Sequence, residues 1–227
     1  MSEEKNNNNN ENNSGPADIS TEIVNAPHKI HCLTIIGQIE GHMLLPPQSK
    51  TTKYENVIPT LASIEENSEI EGLLILLNTM GGDVEAGLAI AEMISTMSKP
   101  TVSLVLGGGH SIGVPLAVAS KYSYIVPSAT MTIHPIRMTG TIIGSSQTYN
   151  YFQKVQDRVV SFIANNSRTS KNEVLRLMLE TDNIANDVGT ILFGEEAVSH
   201  GIIDSVGGLS DALCKLYELI EQGGKEN

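Results

Sequence analysis

The chain is poor in cysteine and in basic residues, and it has no long apolar run. Its 227 residues include two cysteines, Cys32 and Cys214, which lie far apart and without the spacing of a metal site. We therefore expect free thiols, buried or partly buried, and no metal site, in a protein of the reducing cytoplasm. The 14 Lys and Arg residues against 26 Asp and Glu residues give a net charge of −12, which argues against a nucleic-acid partner. Because no run of about 18 apolar residues occurs, we expect no integral membrane segment.

The first 25 residues are a low-complexity segment rich in asparagine. Five consecutive asparagines occupy positions 6–10, and further Asn, Ser, Gly and Pro residues follow them. Such a segment cannot bury apolar area, so we predict a disordered tail over residues 1–25. Its polar, acidic start is unlike a secretory signal. The remaining residues, 26–227, suffice for one domain with a substantial core.

From about residue 30 onward, apolar runs alternate with helical patterns. The continuous apolar run at 72–77 is typical of a strand buried on both faces, which is usually parallel, and the mostly apolar segment 101–106 is predicted as the next strand. This alternation predicts an α/β fold with a largely parallel sheet. Further strands are predicted over 31–39, 122–126, 131–134 and 201–204, and helices over 57–64, 84–97, 114–119, 197–200 and 209–222.

Two polar-rich helices, predicted over 148–165 and 171–180, interrupt this alternation. We expect them to form a helical arm over about 148–180 that projects from the sheet domain. Phe152, Val155 and Val159 belong to an apolar stripe on the first of these helices. A stripe of this kind packs against either another subunit or its own domain, and both alternatives stay open here.

A turn of small residues, Gly-Gly-Gly-His-Ser-Ile-Gly at 107–113, joins the buried strand 101–106 to an apolar helix. Ser111 stands at its corner, above the first turn of that helix. The unpaired N–H groups and the positive dipole end of a helix favour a developing oxyanion. The turn follows the logic of a nucleophile elbow without the G-x-S-x-G pattern. The alternative is a turn whose glycines serve packing alone.

A second glycine turn, Gly81-Gly82, follows the buried strand at 72–77. Turns at the carboxyl ends of neighbouring parallel strands lie close together. The main-chain N–H groups of Gly82 and Ile112 are therefore candidates for the two donors of an oxyanion hole. A phosphate-binding loop is not indicated, because no Lys and Ser/Thr pair follows the glycines.

Among six histidines, His134 is the best candidate for the base that a reactive serine needs. It ends an apolar strand, and Pro135 biases it to an extended backbone that presents the ring at the strand end. A purely structural histidine is the alternative. His110 lies beside Ser111, but neighbouring side chains at a turn usually point apart. We predict that His200 is a solvated surface residue.

Four motifs in this order resemble the ClpP family of serine peptidases, and together they span roughly residues 30–210. The motifs are N-T-M-G-G at 78–82, G-G-H-S-I-G at 108–113, M-T-I-H-P at 131–135 and G-E-E-A-V-S-H-G-I-I-D at 194–204.

Within that family, T-I-H-P-I-R at 132–137 and D-V-G-T at 187–190 look most like the translocation-enhancing, Tep-type branch of spore-forming bacteria. The resemblance implies a crotonase-like spiral of βαβ units in which the helices near 148–180 form the projecting arm. It also implies Ser111 as nucleophile, His134 as general base and then acid, and Gly82 and Ile112 as oxyanion-hole donors.

The third catalytic residue follows less directly from the resemblance. Family members carry an aspartate shortly before the closing motif, and this chain has Gly189 at the ungapped position. We expect Asp187 to take the role, with Asp182 as the second candidate. The carboxylate would fix the imidazole tautomer of His134 and stabilise its charged form.

The resemblance implies a serine endopeptidase that cleaves peptides or unfolded polypeptide without a cofactor. It also implies a homo-oligomeric ring, an unfoldase partner that the sequence does not identify, and a link to protein translocation or processing. A non-catalytic oligomeric scaffold is the main alternative, because the aspartate is displaced. A Ser/Lys signal-peptide peptidase would depend on Lys121, and an acyl-CoA enzyme of the crotonase type on Asp83 and Glu85.

Overall fold

Residues 26–137, 144–181 and 188–223 are described by a computed structural model of the chain. The predicted tail over residues 1–25 lies outside these ranges and stays a prediction. The described strands are β1 (Ile30–Glu40), β2 (Thr51–Lys53), β3 (Gly72–Gly82), β4 (Thr101–Gly109), β5 (Tyr122–Ile125), β6 (Thr130–Ile133), β7 (Thr190–Phe193) and β8 (Ser205–Val206). The described helices are α1 (Tyr54–Glu66), α2 (Val84–Thr96), α3 (Gly113–Val118), α4 (Ser145–Asn165), α5 (Lys171–Leu179), α6 (Gly194–Ser199) and α7 (Leu209–Gly223).

The sheet has the strand order β2-β1-β3-β4-β5-β8, and all of these neighbours pair in parallel. At the carboxyl end of β4, β6 pairs in parallel with β4 and antiparallel with β7. This arrangement confirms the predicted α/β class with a mostly parallel sheet, and it is consistent with a crotonase-like fold. It brings the ends of β3, β4 and β6 together at one edge of the sheet.

Both faces of the central strands are covered, as their continuous apolar runs predict. Ile75 and Leu77 face the larger core, which they share with buried side chains of α1, α2 and α3. Leu74 and Leu104 face the opposite side, where they pack against Leu216 and its neighbours on α7. All five side chains are 2% exposed or less, so the sheet is a rigid platform for the loops at its edge.

The two central strands are longer than the apolar runs indicate. The sequence places their ends at residues 77 and 106, whereas β3 continues to Gly82 and β4 to Gly109. Residues 78–82 pair with β1 across a bulge at Gly37/Gln38, and these ladder contacts hold a segment of low strand propensity extended. The added residues carry the two glycine turns past the core.

Several elements near the carboxyl end of the chain differ from the prediction. The strand predicted over 201–204 is wrong, because this segment turns back on α6 through hydrogen bonds from Ile202 N to Ala197 O and from Gly201 N to Val198 O. The following strand is β8. The prediction missed both β7 and β2, which are short and owe their extended backbone to pairing with distant strands.

The apolar stripe of α4 packs mainly on its own domain. Val159, Phe162 and Ile163 belong to the main core, together with Val174 and Leu177 of α5. The carboxyl-terminal half of α4 and the helix α5 thus pack on the sheet domain, whereas Phe152 and Val155 are not part of this core. A second subunit is not needed to bury the side chains of this core.

Both cysteines are free and exposed, so the prediction of buried or partly buried thiols is wrong. On β1, Leu33 and Ile35 face the core, and alternation turns Cys32 outward. On α7, Ala212 and Leu216 face the core, and Cys214 lies between them on the other side of the helix.

Candidate active site

The turn between β4 and α3 has the backbone of a nucleophile elbow. Ser111 has φ +57°, and it is the one non-glycine residue in the left-handed region among the residues that the structure describes. Its N–H donates to Thr132 O at 2.8 Å, and its carbonyl accepts from Val114 N at 3.0 Å. These bonds tie the turn to β6 on one side and to α3 on the other, so the strained serine is held from both directions.

A close approach between β3 and the elbow requires glycine at position 81. Gly81 has φ +91°, and a Cβ placed there would lie 2.7 Å from Ser111 Cβ and 2.9 Å from His110 O. Any side chain at this position would displace the serine. The N-T-M-G-G motif therefore makes room for the elbow, in addition to presenting the backbone of Gly82.

Ser111 opens into a cavity of about 120 Å³ beside the ends of the strands. Gly82, Ile112 and His134 line the same cavity, so four of the five predicted site residues meet there. The fifth, Asp187, and its alternative, Asp182, lie outside the described residues. The other lining residues are mostly apolar: Val84, Val114, Ile133, Ile136, Arg137, Val159, Ile163 and Met178.

The hydrogen bond of His134 determines which ring nitrogen carries the proton. Nδ1 lies 2.7 Å from the carbonyl oxygen of Pro135. Because a carbonyl only accepts, the neutral ring is protonated on Nδ1 and keeps a lone pair on Nε2. This is the tautomer that a general base needs. Among the described residues, no hydrogen bond joins Ser111 Oγ to His134, so the pair is not closed in this conformation.

The backbone of Gly189 runs against His134. Gly189 has φ +132°, and a Cβ there would lie 2.8 Å from His134 Cβ and 2.5 Å from Ile133 O. No aspartate fits at this position in this arrangement, although the family pattern puts one there. Gly189 N also donates to Glu180 O at 2.9 Å, which closes the base of the segment that carries Asp182 and Asp187.

His110 takes part in the site in a way that the sequence did not indicate. Its Nδ1 lies 2.8 Å from Thr132 Oγ1 on β6. Burial, and secondly the charge of His134, lower the pKa of His110 below its ordinary value of 6.5. The only sequence signal was its position next to the serine. The expected surface residue His200 is instead half-buried and paired with Glu173 at 2.8 Å.

A second cavity of about 270 Å³ continues from the first toward α4. The two share Gly82 and Ile136 among their walls. The acids beside it are engaged elsewhere, since Asp83 accepts from Ala86 N at the start of α2. Glu85 forms a two-bond ion pair with Arg158 of α4, at 2.7 and 3.1 Å. Both carboxylates line this second cavity, and each already has a hydrogen-bond partner.

The described ranges contain no group of three or more His, Cys, Asp and Glu side chains that could hold a metal ion. None of their helices combines the length and the apolar character needed to cross a bilayer.

The sequence is similar to known proteins over most of its length. The family described as Clp protease matches residues 27–209. The chain is 62% identical over 193 residues to the translocation-enhancing protein TepA of Halalkalibacterium halodurans, covering 85% of this chain and 75% of that protein. It is 27% identical over 194 residues to the ATP-dependent Clp protease proteolytic subunit of Streptococcus pneumoniae, covering 82% and 89% of the two chains. A putative protease of Methanocaldococcus jannaschii is 27% identical over 231 residues, covering 83% and 70%.

The family match includes the elbow with Ser111, the glycine turn with Gly82 and the strand that ends at His134. Since it spans most of the chain and all of the elements that form the cavity, the chain belongs to the Clp protease family.

Proposed function

We propose that the chain is a serine endopeptidase that cleaves peptides or unfolded polypeptide through an acyl-enzyme, with Ser111, His134 and Asp187 as its catalytic residues. The observation that carries this proposal is the left-handed Ser111 at an elbow whose cavity is also lined by His134, Gly82 and Ile112. Membership of the Clp protease family supports it.

In the acylation step, Ser111 Oγ attacks the carbonyl carbon of the scissile peptide bond while His134 Nε2 takes the hydroxyl proton. The carbonyl oxygen becomes an oxyanion and accepts hydrogen bonds from the N–H groups of Gly82 and Ile112. Such a donor is worth about 2.7–4 kcal/mol in the transition state. The C–N bond then breaks as His134 returns the proton to the leaving amine. Water attacks the acyl-serine by the same route, with His134 again as base, and releases the acid.

Asp187 is proposed to accept the hydrogen bond from His134 Nδ1 and to stabilise the imidazolium. Pro135 O already holds the required tautomer at rest. The role left for the carboxylate is therefore mainly electrostatic, and it is needed when Nε2 has taken the proton. Asp182 is the second candidate for this role.

The walls of the cavity favour an apolar side chain on the acyl side of the cleaved bond. Val84, Val114, Ile133 and Met178 are among its lining residues, and its volume of about 120 Å³ suits a side chain of moderate size. A basic side chain placed there would lose its hydration and would face Arg137, which also lines the cavity. We therefore expect cleavage after apolar residues in preference to basic ones.

The peptidase is expected to work as a homo-oligomeric ring and to need no cofactor of its own. The relative in Halalkalibacterium halodurans is named a translocation-enhancing protein, which supports a role in protein translocation or processing for this chain. The unfolded polypeptide that such processes supply suits the narrow cavity. An unfoldase partner fits the same role, and its identity is open.

A catalytically weak or inactive scaffold is the second candidate function. The observation that favours it is the bond from His134 Nδ1 to Pro135 O, without a bond between His134 and Ser111 Oγ among the described residues. The other enzyme classes have less support. Lys121 is not among the residues that line either cavity, and Asp83 and Glu85 are held by other partners.

Labelling with a fluorophosphonate probe tests the proposal. We expect the wild type and the Ser199→Ala control, which removes an exposed serine on α6, to label equally, and Ser111→Ala not to label. Labelling of Ser111→Ala at the wild-type level would exclude Ser111 as nucleophile. A folded, assembled wild type that does not label would support the scaffold. Cleavage of peptide substrates by the wild type and not by Ser111→Ala then identifies the reaction.

A further inference from the structure

We infer that His110 is a positioning residue, which aligns Ser111 with His134 through its contact with Thr132. This inference rests on the proposed peptidase function. The backbone of His110 makes hydrogen bonds that any amino acid at this position could make. Its imidazole makes a further contact, which depends on the side chain.

The backbone of His110 anchors the elbow to two other elements. Its N–H donates to Thr79 O on β3 at 3.1 Å, and its carbonyl accepts from Gly113 N at the start of α3 at 2.8 Å. These bonds do not depend on the side chain. They explain why the turn holds its shape, and they leave the imidazole free to contact a third element.

The side chain of His110 reaches the strand that carries the base. Its Nδ1 lies 2.8 Å from Thr132 Oγ1, and the main-chain carbonyl of the same threonine accepts from Ser111 N at 2.8 Å. Thr132 is therefore joined to the elbow twice. Since residues two apart in a strand face the same side, Thr132 and His134 project in the same direction from the end of β6. A shift of Thr132 relative to the elbow would move His134 relative to Ser111 by a similar amount.

Glycine at position 108 leaves room for the His110 ring, and a larger residue there would exclude it. A Cβ added to Gly108 would lie 2.6 Å from His110 Nε2. Gly108 is also the residue of β4 that pairs with Thr130 of β6, so the ring lies beside the junction of the two strands. The glycine, the imidazole and the threonine thus form one packed unit.

The charge state of His110 matters because His134 becomes positive during catalysis. Burial and the charge of His134 both lower the pKa of His110, so the ring is neutral near pH 7. The described residues that contact it from β3, β4 and β6, namely Thr79, Gly108 and Thr132, do not titrate. A proton on His110 would oppose the imidazolium of His134 and weaken it as a base.

Two substitutions test the contact from its two sides. His110→Phe keeps a ring but cannot bond to Thr132, and Thr132→Val removes only the hydroxyl. We expect each substitution to lower kcat/KM and the rate of fluorophosphonate labelling between about tenfold and a hundredfold. KM should change little, because the substitutions misalign Ser111 and His134 and leave the binding cavity intact. The double variant should lose no more kcat/KM or labelling rate than each single variant does, since the two substitutions remove the same hydrogen bond.

A matched control separates positioning from stability. Thr101→Val at the start of β4, the end of that strand away from the site, also removes a threonine hydroxyl, which accepts from Lys121 N at 2.9 Å. We expect it to lower the melting temperature about as much as Thr132→Val does, with labelling of the folded protein unchanged. If Thr101→Val slows labelling as much as Thr132→Val, the effect of Thr132 is one of stability and the inference is wrong.

The pH profile is a readout that a merely structural role would not move. The acid limb of kcat/KM should lose the contribution of one protonation in His110→Phe, because only the wild type can take a proton on His110. Independently of activity, NMR titration of the histidine rings should place His110 below its ordinary pKa and move it upward in His134→Phe. A His110 resonance that does not respond to His134→Phe overturns the inference.

The failures of the two proposals are distinguishable. If the wild type labels at Ser111, and both His110→Phe and Thr132→Val label at the wild-type rate, the peptidase proposal stands and the positioning role falls. If the wild type does not label, or labels as Ser111→Ala does, both fall.

Discussion

At the residue scale, the left-handed backbone of Ser111 is the feature on which the site depends. A side chain at positive φ crowds the following carbonyl, and the site holds this strain with the bonds from Ser111 N to Thr132 O and from Val114 N to Ser111 O. Strain of this kind costs about 1–3 kcal/mol per residue. It presents Ser111 to the cavity that Gly82 and Ile112 also line.

This strain predicts an order of stability among variants at position 111. Ser111→Gly should unfold at a higher urea concentration than Ser111→Ala, by about 1 kcal/mol in the free energy of unfolding, because glycine has no Cβ to crowd the left-handed backbone. Neither should label with fluorophosphonate. An alanine variant as stable as the glycine variant would mean that the backbone at 111 is not left-handed in solution.

The third catalytic residue gives a second prediction at this scale. Asp187→Asn should lower kcat/KM at least about tenfold more than Asp182→Asn, because loss of the charge leaves the imidazolium of His134 unsupported. Peptide hydrolysis at saturating and at low substrate measures the effect. Equal effects of the two substitutions would assign the role to neither aspartate alone.

At the scale of elements, the site depends on how closely α2 packs on the start of α3. A Cβ added to Gly87 of α2 would lie 2.3 Å from Ile112 Cγ1. Ile112 is 2% exposed and lines the cavity beside Ser111, so a shift that relieves this contact would change the cavity. The same residue contributes a proposed oxyanion donor, which links helix packing to catalysis.

We therefore expect Gly87→Ala to destabilise the protein and to slow labelling of Ser111, although alanine favours a helix by about 1 kcal/mol over glycine. Gly223→Ala at the end of α7 is the matched control, since no atom lies within 4 Å of the added Cβ. It should leave stability and labelling unchanged or slightly improved. Urea unfolding and labelling rates of both variants check this. A harmless Gly87→Ala would contradict the packing described here.

A charged contact joins α5 to the end of α6. Glu173 accepts hydrogen bonds from Arg176 at 2.8 and 2.9 Å and lies 2.8 Å from His200 Nδ1. The Arg176 guanidinium, followed by His200, lowers the pKa of Glu173 from 4.5 to about 2. The ionised carboxylate is thus favoured by the fold.

The sign of the pH effect follows from this lowered pKa. Stability from Glu173 is fully present above its unfolded-state pKa near 4.5 and is lost as the pH falls toward about 2. Glu173→Gln should therefore be less stable than the wild type at pH 6, and the difference should shrink between pH 4.5 and 2. Urea unfolding at several pH values measures it. A difference independent of pH would mean that the contact is not ionic.

At the scale of the whole molecule, one face of the sheet is only partly covered. Helix α7 covers the part of this face near Leu74 and Leu104. Farther along the three neighbouring strands β1, β3 and β4, three apolar side chains are exposed: Ile36 by 50%, Met80 by 67% and Leu106 by 43%. An apolar surface of this kind favours contact with another molecule. The buried stripe of α4, by contrast, is already used within the domain.

If the proposed ring uses this face, Met80→Lys should shift sedimentation toward smaller species without loss of the folded circular dichroism spectrum. Leu44→Lys, which charges an equally apolar position that is 82% exposed in the loop before β2, should not. An unchanged sedimentation profile of Met80→Lys would place the subunit contact elsewhere. A monomeric wild type would contradict the oligomeric proposal itself.

The sequence by itself determined the α/β class, the glycine turns and the serine and histidine that meet at the cavity. Apolar runs, turn residues and their order are local properties, and their conformational preferences do not depend on contacts with distant parts of the chain. Only the tertiary structure decided how far β3 and β4 extend, where β7 lies, what the apolar stripe of α4 packs against and that His110 reaches Thr132. Each of these depends on partners distant in sequence, because strand pairing, burial and the pKa of a ring are set by what lies across a contact and not by what precedes it in the chain.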